Sequence, residues 1–485
     1  MNLYLIGHDY RYAAEQMLLT LFPDERPEYP DGRPTGDRAE LRLMSGTKVT
    51  TVTCVLVYHG QTANGRTSVP NGELTDPAET DRRLQGAVKR AFYRAAMGIG
   101  LPHRPWGMLT GVRPGKLMTP LLAQGLNDAQ AARQFERQYD VSPARADLVV
   151  RTAHATLRAM ESLGEKDVCL YVGIPFCPTR CAYCSFVSQS VEKSMALVPE
   201  FLQALAREIA ATAEAVQRAG LRIVSLYIGG GTPTTLSARQ LDALCTQLAA
   251  AFDLSALREF TVEAGRPDTI TADKLQVLRA HRVDRISVNP QSMEDEVLRA
   301  IGRKHTAADI EATMALATSM GFPHVNMDLI AGLPADTPEG FRRTLDKCLT
   351  FGADNITVHT LSLKKGSRIL LEGLPVPGPE DVAKMLDYAA PALRSAGFAP
   401  YYLYRQKYMS GSFENVGWCI SGAEGLYNIY IMEELHSILS LGAGGSTKMV
   451  DPVRDRIERV FHPKFPTEYI ARPEKLRRFH ENMQK

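Results

Sequence analysis

Long apolar runs are missing from this chain: no stretch approaches the ~20 residues needed to cross a bilayer, so no membrane span is expected. A surplus of charge of either sign is missing too. Lys and Arg total 56 against 54 for Asp and Glu, a formal net charge of +2. That balance gives no electrostatic reason to expect nucleic acid or an anionic surface as a partner. The opening residues carry neither a basic n-region nor a long apolar h-region, so no signal peptide is expected and the chain is assigned to the cytoplasm. Thiols stay reduced there, and the eight cysteines read as core residues or metal ligands rather than disulfides. Cys54, Cys169, Cys245, Cys348 and Cys419 are scattered; the other three are crowded together.

What is present is an ordinary globular composition, 45% hydrophobic and 23% charged, on a length too great for one core. Three segments are expected. Residues 1–165 read as an α+β module, with a Thr- and Val-rich strand at 47–58, an amphipathic helix at 77–97 and a Pro-, Gly- and Asp-dense loop at 23–37. It holds no catalytic motif, so it is taken as a packing or substrate-covering module. Residues 166–399 alternate short apolar runs with helical stretches. Strands are expected at 169–174, 223–228, 259–263, 283–288, 324–330 and 355–359, and helices at 197–219, 238–252, 272–281, 307–320 and 339–351. Such alternation implies right-handed βαβ units, hence an α/β fold: a partial (β/α)6 barrel on a parallel sheet. Chemistry in a barrel of this kind belongs at the C-terminal ends of the strands. Residues 400–485 are mixed and less periodic.

Cys177-Pro178-Thr179-Arg180-Cys181-Ala182-Tyr183-Cys184 directly follows the first barrel strand. Three thiolates on one short loop ligate three irons of a [4Fe–4S] cubane and leave the fourth iron without a protein ligand. That open iron suits S-adenosylmethionine (SAM), whose amino and carboxylate groups chelate it. An electron from the cluster then breaks the S–C5′ bond, giving methionine and a 5′-deoxyadenosyl radical; the protein supplies position and exclusion of water. A structural zinc site would want four N or S ligands. No fourth Cys and no His stands between residues 170 and 200, and His154 and His281 are the nearest histidines.

This C-x₃-C-x₂-C motif after residues 171–176 (Tyr-Val-Gly-Ile-Pro-Phe), on a six-unit βα run, resembles the radical SAM superfamily. Within it the chain resembles the oxygen-independent coproporphyrinogen III oxidase group, with its HemN, HemW and HemZ types, and is most similar to the HemZ-type coproporphyrinogen dehydrogenases. The resemblance runs over nearly the whole chain. It is carried by residues 106–114 (Trp-Gly-Met-Leu-Thr-Gly-Val-Arg-Pro), 262–269 (Val-Glu-Ala-Gly-Arg-Pro-Asp-Thr) and 285–291 (Arg-Ile-Ser-Val-Asn-Pro-Gln). Residues 400–406 (Pro-Tyr-Tyr-Leu-Tyr-Arg-Gln) and 413–417 (Phe-Glu-Asn-Val-Gly) match as well.

The match assigns roles to further residues. Residues 229–234 (Gly-Gly-Gly-Thr-Pro-Thr) end the second strand, where glycine lets a ligand approach the backbone closely. Gly230, Gly231 and Thr232 are therefore expected against the amino group of SAM, with a tight βα turn as the plainer reading. Glu263, at the end of the third strand, is placed to hold a ribose hydroxyl. The resemblance implies that Tyr171 and Tyr183 touch this first SAM and that Gln291, Arg303 and Asp328 contact a second. Loop polarity and helix capping explain the same residue types without a ligand. Ser362 is carried over with them, although residues 357–362 depart from the tyrosine-containing family version. The late glycine run at 441–445 resembles a SAM-adjacent loop and reads equally as a turn.

The resemblance implies oxidative decarboxylation of two propionates of coproporphyrinogen III to vinyls. The product is protoporphyrinogen IX of anaerobic heme biosynthesis, and the catalyst a cytoplasmic oxidoreductase with a [4Fe–4S] cluster and two SAM molecules. An electron donor such as flavodoxin or ferredoxin is implied as partner. A tetrapyrrole with four carboxylates calls for cations in the pocket, and Arg405 is the first candidate and Lys407 the second. One departure matters. The HemN type has a further Cys two positions beyond the last cluster cysteine, where this chain has Phe186. HemW-type heme chaperones share that ending, so a heme-binding chaperone is the alternative, and a radical SAM enzyme acting on heme itself a third reading.

Overall fold

The computed structural model describes residues 1–184, 189–190, 194–364, 366–406, 410–451 and 456–471; Phe186 and Lys407 lie outside them. Two compact units emerge, residues 1–112 with 124–148, and residues 113–123 with 149–485.

In the first unit β1 (Asn2–Ile6), β2 (Arg38–Ser45), β3 (Val49–Tyr58) and β4 (Gln61–Pro70) form one sheet in that order. The β1–β2 pair is parallel and the other two pairs are antiparallel. β3 is almost wholly β-branched or apolar, and its alternate residues Val52, Cys54 and Leu56 are buried in the core. The helix Pro77–Gly98 covers that core with Val88, Ala91, Phe92 and Ala95. It starts where it does because the Asp76 carboxylate accepts the Glu79 amide at 2.9 Å and Pro77 occupies the first turn.

The second unit is built on an eleven-stranded sheet. β5 (Asp167–Ile174) is followed by a short parallel pair, β6 (Phe176–Cys177) with β7 (Gln189–Ser190). The strands β8 (Arg222–Gly230), β9 (Glu259–Gly265), β10 (Arg285–Val288), β11 (His324–Ala331) and β12 (Asn355–Thr360) then stand beside β5 in chain order, all parallel. This is the expected six-stranded partial barrel. Its connecting helices are delimited by local chemistry: capping boxes at Ser237/Gln240 and Thr306/Asp309, and a left-handed Gly220 closing Val198–Ala219.

The last part of the chain lengthens the same sheet at both edges. β13 (Ala399–Tyr404) and β14 (Asn415–Cys419) add antiparallel strands beyond β12. β15 (Ile438–Gly442) pairs parallel with β5 and carries β16 (Ser446–Asp451) and β17 (Arg456–Phe461) outward. Among the described residues no helix is long and apolar enough to cross a membrane.

Period-two alternation decides what the barrel encloses. Leu226 and Ile228, Phe260 and Val262, and Met327 and Leu329 are buried apolar positions. The residues between them, Tyr227, Thr261 and Asp328, line an interior cavity.

Phe201 anchors this arrangement. It is fully buried on the helix Val198–Ala219, its ring 5.3 Å edge-on from Phe176 and 5.1 Å from Tyr469. Replacing it with Ala should destabilise the protein by about 3–5 kcal/mol, read as a lower urea midpoint in equilibrium unfolding.

Candidate active site

The cysteine loop begins where β5 ends, and the glycine loop after β8 lies directly against it. The Gly231 amide donates to the Ile174 carbonyl at 2.8 Å, and the Thr232 amide to the Phe176 carbonyl at 2.7 Å. Gly230 has φ +109°, a conformation L side chains avoid, and a Cβ on Gly231 would lie 2.5 Å from the Phe176 oxygen. These glycines thus have a packing requirement of their own. The Thr232 hydroxyl reaches Cys177 Sγ at 3.4 Å.

The cavity beyond this loop has a volume of about 710 Å³. Cys177, Cys181 and Cys184 line it together. So do Tyr171, Tyr183, Gly230, Gly231, Thr232 and Glu263. Gln291, Arg303, Asp328 and Ser362 complete the wall expected from the sequence. One space therefore gathers residues from every barrel strand end. Gly444 and Gly445 of the late glycine run also border it.

Glu263 accepts the Tyr227 hydroxyl at 2.5 Å and the Gly230 amide at 3.3 Å. Burial pushes its carboxyl up to about 7, and nearby Asp328 adds to the rise against those hydrogen bonds. Asp328 goes the other way. Burial opposes its charge, but the His359 ring and the amide of Asn326, which donates at 2.8 Å, hold it below the usual carboxylate range. Gln291, at φ +69°, bridges to β11: its amide donates to the Asp328 carbonyl at 2.9 Å.

Arg303 is buried, and its guanidinium donates to the Asn289 carbonyl at 2.6 Å and the Tyr183 hydroxyl at 3.1 Å. Its Nε has no hydrogen-bond partner among the described residues. The donor set fits an iron–sulfur cluster. Three cysteines share one loop on the cavity wall, and a second buried cation, Arg266, stands 3.9 Å from Cys181 Sγ.

Arg405 does not line the cavity. Tyr402 and Tyr404 face it, so the next residue on this strand exit turns away: the guanidinium is buried and donates to the Ser412 carbonyl at 2.7 Å. Burial draws its pKa down to about 10. Among the described residues the lysines on the wall are Lys364 and Lys448, neither marked by a motif. Burial lowers Lys448 to about 8, helped by the charges of Arg113, Arg459 and Lys116 and opposed by Glu434. His359 and Tyr227 were likewise missed, although both stand two residues from positions with visible signals, Thr357 and Gly229.

A cysteine loop at the C-terminal face of a six-stranded parallel barrel defines the class of protein. The Radical SAM superfamily model matches residues 171–348. The oxygen-independent coproporphyrinogen-III oxidase-like protein HemZ of Bacillus subtilis is 39% identical over 405 residues, 82% of this chain and 81% of that one. The heme chaperone HemW of the same organism is 30% identical over 307 residues, 61% of this chain and 76% of its own. Among solved structures, the radical SAM enzyme HemN, coproporphyrinogen III oxidase of Escherichia coli, superposes with a TM-score of 0.52 at 24% identity, covering 67% of this chain and 72% of that one, a likeness of fold. The chain belongs to the radical SAM superfamily, within the oxygen-independent coproporphyrinogen-III oxidase-like group that includes HemZ.

Glu263 makes a pH prediction possible. A carboxyl raised to about 7 from 4.5 keeps its proton in the folded state while the unfolded chain ionises, so stability falls as pH rises from about 4.5 to 7. In apoprotein melts, the stability of Glu263→Gln relative to wild type should therefore rise by about 1–3 kcal/mol between pH 5 and pH 8.

Proposed function

We propose that this protein oxidatively decarboxylates two propionates of coproporphyrinogen III to vinyls, giving protoporphyrinogen IX, as a radical SAM dehydrogenase. The observation that carries the reading is the charge of the cavity wall. In a chain of net charge only +2, Arg266, Arg285, Arg303, Lys364 and Lys448 line the cavity against Glu259, Glu263 and Asp328. Cations concentrated there suit a substrate bearing four carboxylates. The 39% identity to HemZ supports the same reading.

A [4Fe–4S] cluster on Cys177, Cys181 and Cys184, when bound, supplies the electron that cleaves SAM reductively. The chain's own residues bind and orient. Gly230, Gly231, Thr232, Tyr171, Tyr183 and Glu263 hold the first SAM, Glu263 through a ribose hydroxyl. Gln291, Arg303 and Asp328 hold a second, and Ser362 borders the same space. Lys448 and Lys364 take substrate carboxylates in place of Arg405. The electron donor is a small redox protein of the flavodoxin or ferredoxin kind.

A heme-binding chaperone is the second reading. Phe186 in place of a further cysteine favours it, as does the 30% identity to HemW. Anaerobic incubation of reconstituted protein with SAM, a reductant and coproporphyrinogen III separates the two. Chromatography of the pigments should reveal a mono-decarboxylated intermediate before protoporphyrinogen IX, and neither from Cys181→Ala. Tight heme binding with no decarboxylated product, while SAM is cleaved, would transfer the assignment to the chaperone.

Two variants divide the cavity. Arg303→Ala should reduce porphyrin turnover far more than uncoupled SAM cleavage; equal loss of both would assign Arg303 to the fold alone. Lys448→Met should weaken coproporphyrinogen binding by about 1.5–3 kcal/mol, the range for a hydrogen bond to a charged group. Wild-type affinity should fall as pH rises through about 8, where the ammonium loses its charge.

A further inference from the structure

Arg266 has no part in the roles given above beyond its charge. It follows the left-handed turn at Gly265, φ +71°, where β9 ends, and its side chain is 4% exposed. Asp268 grips it from one side as a fork: Nε donates to Oδ1 at 3.1 Å and Nη2 to Oδ2 at 3.2 Å. With the fork fixed, Nη1 is aimed into the cysteine loop. It donates to the Thr179 hydroxyl at 2.8 Å and the Thr179 carbonyl at 3.0 Å, and lies 3.9 Å from Cys181 Sγ. The Thr179 hydroxyl passes the restraint on, donating to the Gly302 carbonyl at 3.2 Å.

The clamp is itself supported. The buried His305 ring stands 3.7 Å from Asp268. Burial alone would raise Asp268, but His305 and Arg266 outweigh it and hold the carboxyl at about 2, so the grip stays ionic at neutral pH. Lysine has no planar fork and could not bond Asp268 twice while donating to Thr179.

We propose that Arg266 is a positioning residue of the cysteine loop: it fixes the turn between Cys177 and Cys181 and, through its charge beside Cys181, raises the reduction potential of the cluster the loop holds. The physical ground is that reduction adds negative charge, which a buried cation at this distance stabilises. The proposal rests on the cluster reading and not on the identity of the tetrapyrrole.

The test uses the full chain, reconstituted anaerobically as wild type, Arg266→Gln and Arg266→Lys. Redox titration followed by electron paramagnetic resonance gives the midpoint potential, and a chelator assay gives the rate of iron release. Arg266→Gln should lower the equilibrium constant for reduction about tenfold, which is about 59 mV for one electron, and should release iron several-fold faster. Arg266→Lys keeps the charge and loses the fork, so its potential should stay near wild type while iron release accelerates. Wild-type potential and release rate in Arg266→Gln would overturn the proposal. If that variant does not fold by circular dichroism, a wild-type release rate in Arg266→Lys overturns it alone. Failure of the wild-type chain to take up iron does so as well. Because no porphyrin enters these measurements, a failed decarboxylation assay leaves their outcome intact.

Discussion

Two backbone hydrogen bonds join the end of β8 to the segment leaving β5, and the site is assembled around them. They require the two chains to approach within van der Waals contact, which Gly231 permits and any Cβ would block, 2.5 Å from the Phe176 oxygen. Buried and unmade, each would cost about 1–3 kcal/mol. Made, they set Phe176 on Phe201 below and Cys177 against Thr232 above. The cysteine loop thus inherits its position from the core of the second unit and not from a ligand alone.

A barrel with a polar interior is electrostatically uneasy without its ligands. Glu263 sits at about 7 and Lys448 at about 8, each shifted toward its neutral form chiefly by burial. On the proposed function, the carboxyl would meet a hydroxyl and the ammonium a carboxylate. Groups so perturbed in a concave site mark where binding free energy is taken up. The buried cysteines Cys54, Cys245 and Cys348 are shifted as well, chiefly by burial, and none of them lines this cavity.

The parallel strands and the cysteine loop were legible because they rest on local signals, period-two alternation and tight residue spacing. The expected strand at 169–174 falls within Asp167–Ile174, and the expected helix at 197–219 is Val198–Ala219 within a residue. What failed to show was non-local or a matter of parity. β15 reaches β5 across more than two hundred intervening residues, and no local pattern announces a pairing of that separation. Tyr402 and Tyr404 share the cavity face, and Arg405, next in sequence, falls on the other. Lys448 reaches the cavity only because β16 folds back on β15.

Arg266 and Arg303 follow successive barrel strands, and both bind the loop that carries the cysteines, one through Thr179 and the other through Tyr183. Arg303 also lines the cavity. On the proposed function, a ligand held by this guanidinium would also fix Tyr183 and the chain between Cys181 and Cys184. Ordering of the cysteine loop by its own occupant fixes the same guanidinium from the other side. Thermodynamic linkage then makes the two effects equal: whatever factor the loop's occupant adds to ligand affinity at Arg303, the ligand returns to the occupant. If the proposed function holds, a shared arginine would give this fold a physical route by which a second cavity ligand and the cysteine centre sense one another without a moving domain.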